Sequence, residues 1–405
     1  MEIGFVNFNQ EALNRANKVM RLLQGQGAID ELGMGRIRDA FSNTMFPGMS
    51  TLQTRAKYFL LMPALYAFLE RTNIRDVSDA RAKIREYEIS LTRRLMAGTP
   101  ADNSWGIIGA DSLRNRDSYV KYDPAYVYQA GLETYRLVKS GGNIYRMIAE
   151  RARVYRDIPK KNRSGEEMED DTDDLAGLRQ LFLTSGENYD FRGKEPLSIA
   201  LTYKEASLLK RQIIFSVSGT LLEYLLESGL YTSATVYDFE GLEIALAGNV
   251  PPELMYTYIL SRRYSRFAYL LRMRYAMLYD LGVGADAARE KEEIFFDYLK
   301  TFQREFTPGA IEEILRFVSG RVTENSCKLF CVKAAQLLEK ENWKSLDELI
   351  VRREVAIKTP SRSKLLNSKD FEQGKPFESP GLMSFRWNTA VRNMLNEIKR
   401  GLGNE

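Results

Sequence analysis

The densest chemical signal is a set of basic side chains following closely spaced glycines. Asp30-Glu31-Leu32-Gly33-Met34-Gly35-Arg36-Ile37-Arg38-Asp39 is followed by Phe46-Pro47-Gly48 and then Thr54-Arg55-Ala56-Lys57-Tyr58-Phe59. Gly33 and Gly35 ahead of a helix would let backbone amides approach a phosphate, with Arg36 and Arg38 beside them. Neither G-x-x-x-x-G-K-[ST] nor G-x-G-x-x-G occurs here, so a nucleotide-binding fold is not indicated. The expected chemistry is contact with a nucleic-acid backbone, carried by Arg36, Arg38, Arg55 and Lys57. A purely structural account uses the same residues. In it, Asp30, Glu31 and Asp39 pair with Arg36, Arg38 and Arg55 to fix two helices across the Pro-Gly turn.

A second candidate lies between Tyr256 and Tyr279, where Arg262, Arg263, Arg266, Arg272 and Arg274 alternate with aromatic residues. Guanidinium groups next to aromatic rings suit single-stranded nucleic acid, which takes charge and stacking together. Arg262 and Arg266 are the candidate contacts. Against this, Tyr256, Leu260, Tyr264, Phe267, Leu271, Tyr275 and Leu278 recur every three or four residues, as a buried helix face does.

Other catalytic sets are thin. The chain has no histidine, which removes Ser-His-Asp and Cys-His catalysis and every histidine-ligated metal. Cys327 and Cys331 share one face of an expected helix, but two thiols fall short of the usual four ligands of a metal site, and buried free cysteines explain them better. Asp238-Phe239-Glu240 and Glu397-Ile398-Lys399 are the nearest fragments to a carboxylate-metal nuclease, and neither has the spacing of one. The expectation is a non-catalytic chain with no cofactor.

The elements that must position these residues are helices. Ser50-Thr51-Leu52-Gln53 reads as a capping box opening a helix through Tyr58 and Leu61, with Pro63 kinking or ending it. Periodicity also predicts helices over 77–97, 203–228, about 25 residues after Pro252, 287–305, 308–320, 323–340 and 383–402. Thr232, Thr235, Val236 and Tyr237 leave room for a minor β hairpin within 231–245. The expected fold class is mostly α, a multi-helix chain in two helical parts joined by an acidic linker. Residues 1–158 would form a basic N-terminal domain and 159–176 the linker, which carries seven acids between Glu166 and Asp174. Residues 177–357 would form a second helical domain, and 358–405 an extended connection with a C-terminal helix.

Lys and Arg number 58 against 54 Asp and Glu, a net charge of +4. That balance conceals a gradient, since residues 1–160 hold 24 basic and 17 acidic side chains. With 44% hydrophobic residues in 405, a sizeable core is available. Two cysteines fit a reducing compartment, the first residues lack the pattern of a signal peptide, and no apolar run suits a membrane span. A cytoplasmic chain without membrane contact is expected.

The blocks Asp30 to Phe41 and Phe46 to Leu60 match the pattern DELGxGxIRDxF followed by FPGxSTxQTRAxYFL. In these blocks the chain resembles an uncharacterised bacterial family. Further blocks look alike at Trp105–Ala110, Ser118–Val120, Tyr126–Leu132, Leu201–Ala206, Arg386–Ala390 and Leu395–Leu402. Tyr126 and Tyr128 depart from the Tyr-Trp pair more usual there. The resemblance implies a place beside helicases and phospholipase D-like proteins in anti-phage defence islands. The expected function is therefore a non-catalytic subunit of a bacterial anti-phage system, contacting DNA, a helicase or nuclease partner, or both. A carboxylate-metal nuclease or other phosphoryl-transfer enzyme, and a pure assembly scaffold, are the alternatives.

Overall fold

The computed structural model describes residues 30–115, 119–139, 141–157, 181–232, 238–322 and 324–403. Among them the chain is mostly α and holds no β-strand; a single antiparallel bridge joins Val138 to Phe182. The acidic run expected at 159–176 lies outside the described residues, as do Thr235, Val236 and Tyr237 of the expected hairpin. The described remainder of that hairpin is helical: a 3-10 turn spans Leu230–Thr232 and a short helix Leu242–Leu246. No helix among the described residues is long and apolar enough to cross a membrane.

The described residues fall into two compact units, each assembled from separate stretches of chain. One comprises 39–262 and 384–403, the other 30–38 and 263–383. Helices α1 (Gly35–Met45) and α10 (Pro252–Val283) supply residues to both.

The larger unit is built around α2, Tyr58–Leu69, whose sequence YFLLMPALYAFL is apolar on every side. A helix without a polar face must be surrounded, and ten of its residues are buried, Pro63 among them. The expected capping box at Ser50 does not start this helix. Gln53 turns its amide back to Ser50 N–H and Gly48 O, closing a local loop, and α2 begins only at Tyr58. Four helices pack on α2: α3 (Val77–Gly98), α5 (Pro124–Thr134), α6 (Ile144–Asp157) and α7 (Tyr203–Ser216). Their starts are fixed by side-chain caps. Asp76 accepts from Asp79 N–H at 2.9 Å, Asp123 from Tyr126 N–H at 2.9 Å with Pro124 following it, and Thr202 with Glu205 forms a full capping box. The expected helix over 203–228 is broken, with α8 restarting at Leu221–Ser228 after Gly219 at φ +79°. Short helices α4 (Ala110–Asn115) and α9 (Leu242–Leu246) complete this unit with the C-terminal α15, Arg392–Gly401, which packs on α7.

The smaller unit stacks α11 (Ala287–Phe302), α12 (Pro308–Phe317), α13 (Asn325–Glu339) and α14 (Trp343–Lys358). Within the connection expected to be extended, residues 359–381 hold 3-10 turns at Pro360–Arg362 and Ser368–Asp370. Leu365, Phe371 and Phe377 of that stretch pack against Tyr279, Val283 and Ala285.

Candidate nucleic-acid interface

An exposed basic and aromatic face lies on the larger unit, where α3, α6 and the entry to α5 come together. Arg81 and Arg85 stand one turn apart on α3 and therefore point the same way. The Arg81 guanidinium sits 4.9 Å from the Tyr145 ring of α6, and that of Arg85 5.5 Å from the Tyr119 ring. Arg85 also donates to Tyr119 O at 3.4 Å. Tyr119 is held from below: Thr92 Oγ1 lies 3.2 Å from its hydroxyl, and Gly109, at φ +85°, leaves a gap that its ring fills where any Cβ would collide. Two residues on, exposed Lys121 places Nζ 5.5 Å over the Tyr122 ring. Tyr122 and Tyr126 are 48% and 59% exposed, with ring centroids 5.2 Å apart and planes tilted by 32°. Both arginines remain exposed at the surface, where a guanidinium beside a tyrosine ring still offers N–H donors to an anion.

Beneath this face lies a carboxyl group that no sequence pattern marks. Glu88, 1% exposed, accepts Ala125 N–H through Oε1 at 2.7 Å, while Oε2 has no hydrogen-bond partner among the described residues. Burial, reinforced by the Asp123 carboxylate, pushes Glu88 well above the usual range, against the opposing pull of the Ala125 N–H and Arg85. Burial also raises Asp123, opposed by the Tyr126 N–H and by Arg85 and Arg81.

The six basic residues singled out by the sequence are placed differently from one another. Arg36 and Arg38 remain exposed on α1, and Arg36 Nε lies 3.0 Å from Glu324. Arg55 and Lys57 face inwards at 4% and 5% exposure. Arg55 forms a buried ion pair with Glu397, donates to the carbonyls of Asn103 and Trp105 at 2.8 and 2.9 Å, and stacks 4.7 Å from the Trp105 ring. Lys57 pairs with Glu205. Arg262 lies between Glu240, at 3.6 Å, and Glu243. Arg266 meets Glu305 at 2.7 Å and lies 4.3 Å from the Phe302 ring. All four are held by carboxylates, Arg55 and Lys57 in the interior and Arg262 and Arg266 half-buried. The partners foreseen for the first block also differ. Glu31 pairs with Lys358 and, at 3.0 Å, with Lys364, while Arg353 donates to the carbonyls of Leu32 and Gly33.

Cys327 and Cys331 are buried free thiols. Asp238 accepts Gly241 N–H at 2.7 Å, and Glu397 belongs to the Arg55 pair. Among the described residues no three of Cys, Asp and Glu gather into a group that could hold a metal ion.

Sequence reasoning missed Arg81, Arg85, Lys121, Tyr122, Tyr126 and Tyr145 as a group. The local signal was Lys121-Tyr122 just ahead of Pro124 and Tyr126, a basic residue among aromatics at a helix start. The paired arginines resembled any solvated helix face.

No curated protein and no solved structure matches the chain. Residues 1–194, which contain the whole of this face and both signature blocks, match the model of a family of unknown function, DUF6361.

Proposed function

We propose that this chain is a non-catalytic, nucleic-acid-contacting subunit, and that the contact surface is the face formed by Arg81, Arg85, Lys121 and their tyrosines. The observation that carries this reading is the pair of exposed arginines on α3, Arg81 over Tyr145 and Arg85 over Tyr119, with Lys121 over Tyr122 just after Tyr119 in the chain. Phosphate oxygens would be met by guanidinium edges and an ammonium group, fixing the strand's position without reading sequence. The setting in a bacterial anti-phage system, with a helicase or nuclease partner, rests on the motif resemblance. Co-expression with a helicase and a phospholipase D-like protein of the kind the resemblance implies, followed by co-purification, tests that part.

Contact is tested by fluorescence anisotropy with a labelled oligonucleotide at low salt. The wild-type chain should bind, and Arg81→Ala/Arg85→Ala/Lys121→Ala should bind at least about tenfold more weakly with unchanged thermal stability. Equal affinity for the two proteins would remove the contact from this face.

A further inference from the structure

We infer that the Tyr122–Tyr126 pair is a stacking platform that makes this face select unpaired nucleobases, so that a single strand is preferred to a duplex. This rests on the nucleic-acid reading above and adds the class of strand. Tyr122 and Tyr126 stand on either side of Pro124, Tyr126 in the first turn of α5 and Tyr122 just before its Asp123 cap. Their rings neighbour each other at 5.2 Å and stay largely in solvent. Neighbouring tyrosines can lose this exposure in a fold simply by turning inwards. Tyr128, two residues on, does so: its hydroxyl accepts from Thr54 N–H and Arg55 N–H and donates to Arg55 O. Tyr122 and Tyr126 instead stay about half exposed, with Lys121 Nζ over the Tyr122 ring and Arg85 against Tyr119, three residues ahead of Tyr122.

A base inside a duplex has both faces occupied by its neighbours and offers a flat protein surface only its edges and phosphates. An unpaired base offers a π face, and every base has one, so stacking is tolerant of sequence. Arg81, Arg85 and Lys121 would hold the backbone on either kind of strand, and only the tyrosines would distinguish them.

The test uses the full chain and four labelled probes of equal length: oligo(dT), oligo(rU), an abasic-spacer strand and a mixed-sequence duplex. Wild type should bind oligo(dT) or oligo(rU) more tightly than the abasic strand and the duplex, and the stronger of the first two tells whether the strand is DNA or RNA. Tyr122→Ala/Tyr126→Ala should lose about tenfold or more on the strand with bases and nothing on the abasic strand or duplex. Tyr122→Phe/Tyr126→Phe keeps the rings and should retain the preference. A wild-type preference for duplex, or tyrosine-to-alanine changes with no effect on the base-bearing strand, overturns the platform while leaving the basic face standing. Loss of effect from Arg81→Ala/Arg85→Ala on every probe overturns the underlying reading instead.

Discussion

Lys57 Nζ lies 2.6 Å from each carboxylate oxygen of Glu205, with the two side chains 7% and 0% exposed. The same carboxylate accepts Tyr189 Oη–H at 2.5 Å and Thr202 N–H at 2.7 Å, so a single buried group ties α7, the stretch before it and the loop ahead of α2 together. Thr54-Arg55-Ala56-Lys57, one of the most distinctive stretches of the sequence, is thus built for cohesion. Arg55 and Ala56 N–H both go to Glu397, the latter at 2.6 Å, and Lys57 goes to Glu205.

Removing one partner of a buried pair leaves a charge with no compensation, a loss of about 3–5 kcal/mol. Lys57→Met should therefore destabilise the protein by that amount in urea or thermal unfolding. Lys57→Met/Glu205→Gln, which removes both charges, should recover a substantial part. A single variant that unfolds like wild type would mean that the pair is not held away from water in solution.

Gly33 carries a second structural demand. It sits at φ +63°, and a Cβ there would lie 2.8 Å from Arg353 Nη2 and 2.9 Å from Ile357 Cδ1. Arg353 is itself engaged with Leu32 O at 2.9 Å and cannot withdraw freely. Gly374 in the same unit has φ +76° with nothing within 4 Å of its added Cβ. Gly374→Ala should show only the backbone penalty, about 1–2 kcal/mol. Gly33→Ala should exceed it by roughly another 1–3 kcal/mol, the usual range for overpacking. Unfolding midpoints of the two variants, compared directly, check the difference.

These pairings explain how far the sequence could be read. Long helices were legible because apolar residues recur on one face, as in α3, α10 and α13. Helix α14 was not: its buried residues are Leu346, Ile350, Arg353 and Glu354, so half its inward face is charged and the periodicity fades. The basic residues of the signature were visible as chemistry, but Glu205 and Glu397, which neutralise Lys57 and Arg55, come from far along the chain. Arg81 and Arg85 stood out only once Tyr145 and Tyr119 had been brought over them. Likewise, no composition argument could unite residues 30–38 with 263–383, because that union depends on Arg353, Lys358 and Lys364 reaching Glu31, Leu32 and Gly33.

Glu88 gives the protein a pH dependence of definite sign. Below a glutamate's ordinary pKa of about 4.3, folded and unfolded chains both hold its proton. As pH rises past that value the unfolded chain releases the proton first, because burial and Asp123 keep the folded carboxyl neutral. Its contribution therefore favours unfolding increasingly from about pH 4.3 upwards, until the folded group ionises too. Glu88→Gln keeps the oxygen that accepts Ala125 N–H and removes the titration. The variant should match wild type near pH 4 and exceed its Tm at pH 8, at about 2–4 °C per kcal/mol for a domain of this size. A Tm difference independent of pH would show that Glu88 does not titrate out of step with the unfolded chain.

Salt dependence decides which cations meet phosphate. Each phosphate neutralised releases counterions, and the slope of log K against log salt is about −0.7 per contact on a single strand and −0.9 on B-form DNA. If Arg81, Arg85 and Lys121 each meet one phosphate, the triple alanine variant should flatten the slope by about 2 on a single strand. Arg36 and Arg38, exposed on α1, supply the comparison. Arg36 is 69% exposed in its pair with Glu324, and such a pair is worth too little to keep the guanidinium from a phosphate. Arg36→Ala/Arg38→Ala should nevertheless leave the slope within about 0.3 of wild type, since neither belongs to the stacked face. The reverse pattern, with a slope that falls for the α1 pair and holds for the triple variant, would move the contact to the signature helix. Two measurements at matched temperature, from 50 to about 200 mM salt, separate the two surfaces because stability differences do not enter a slope taken from the folded protein.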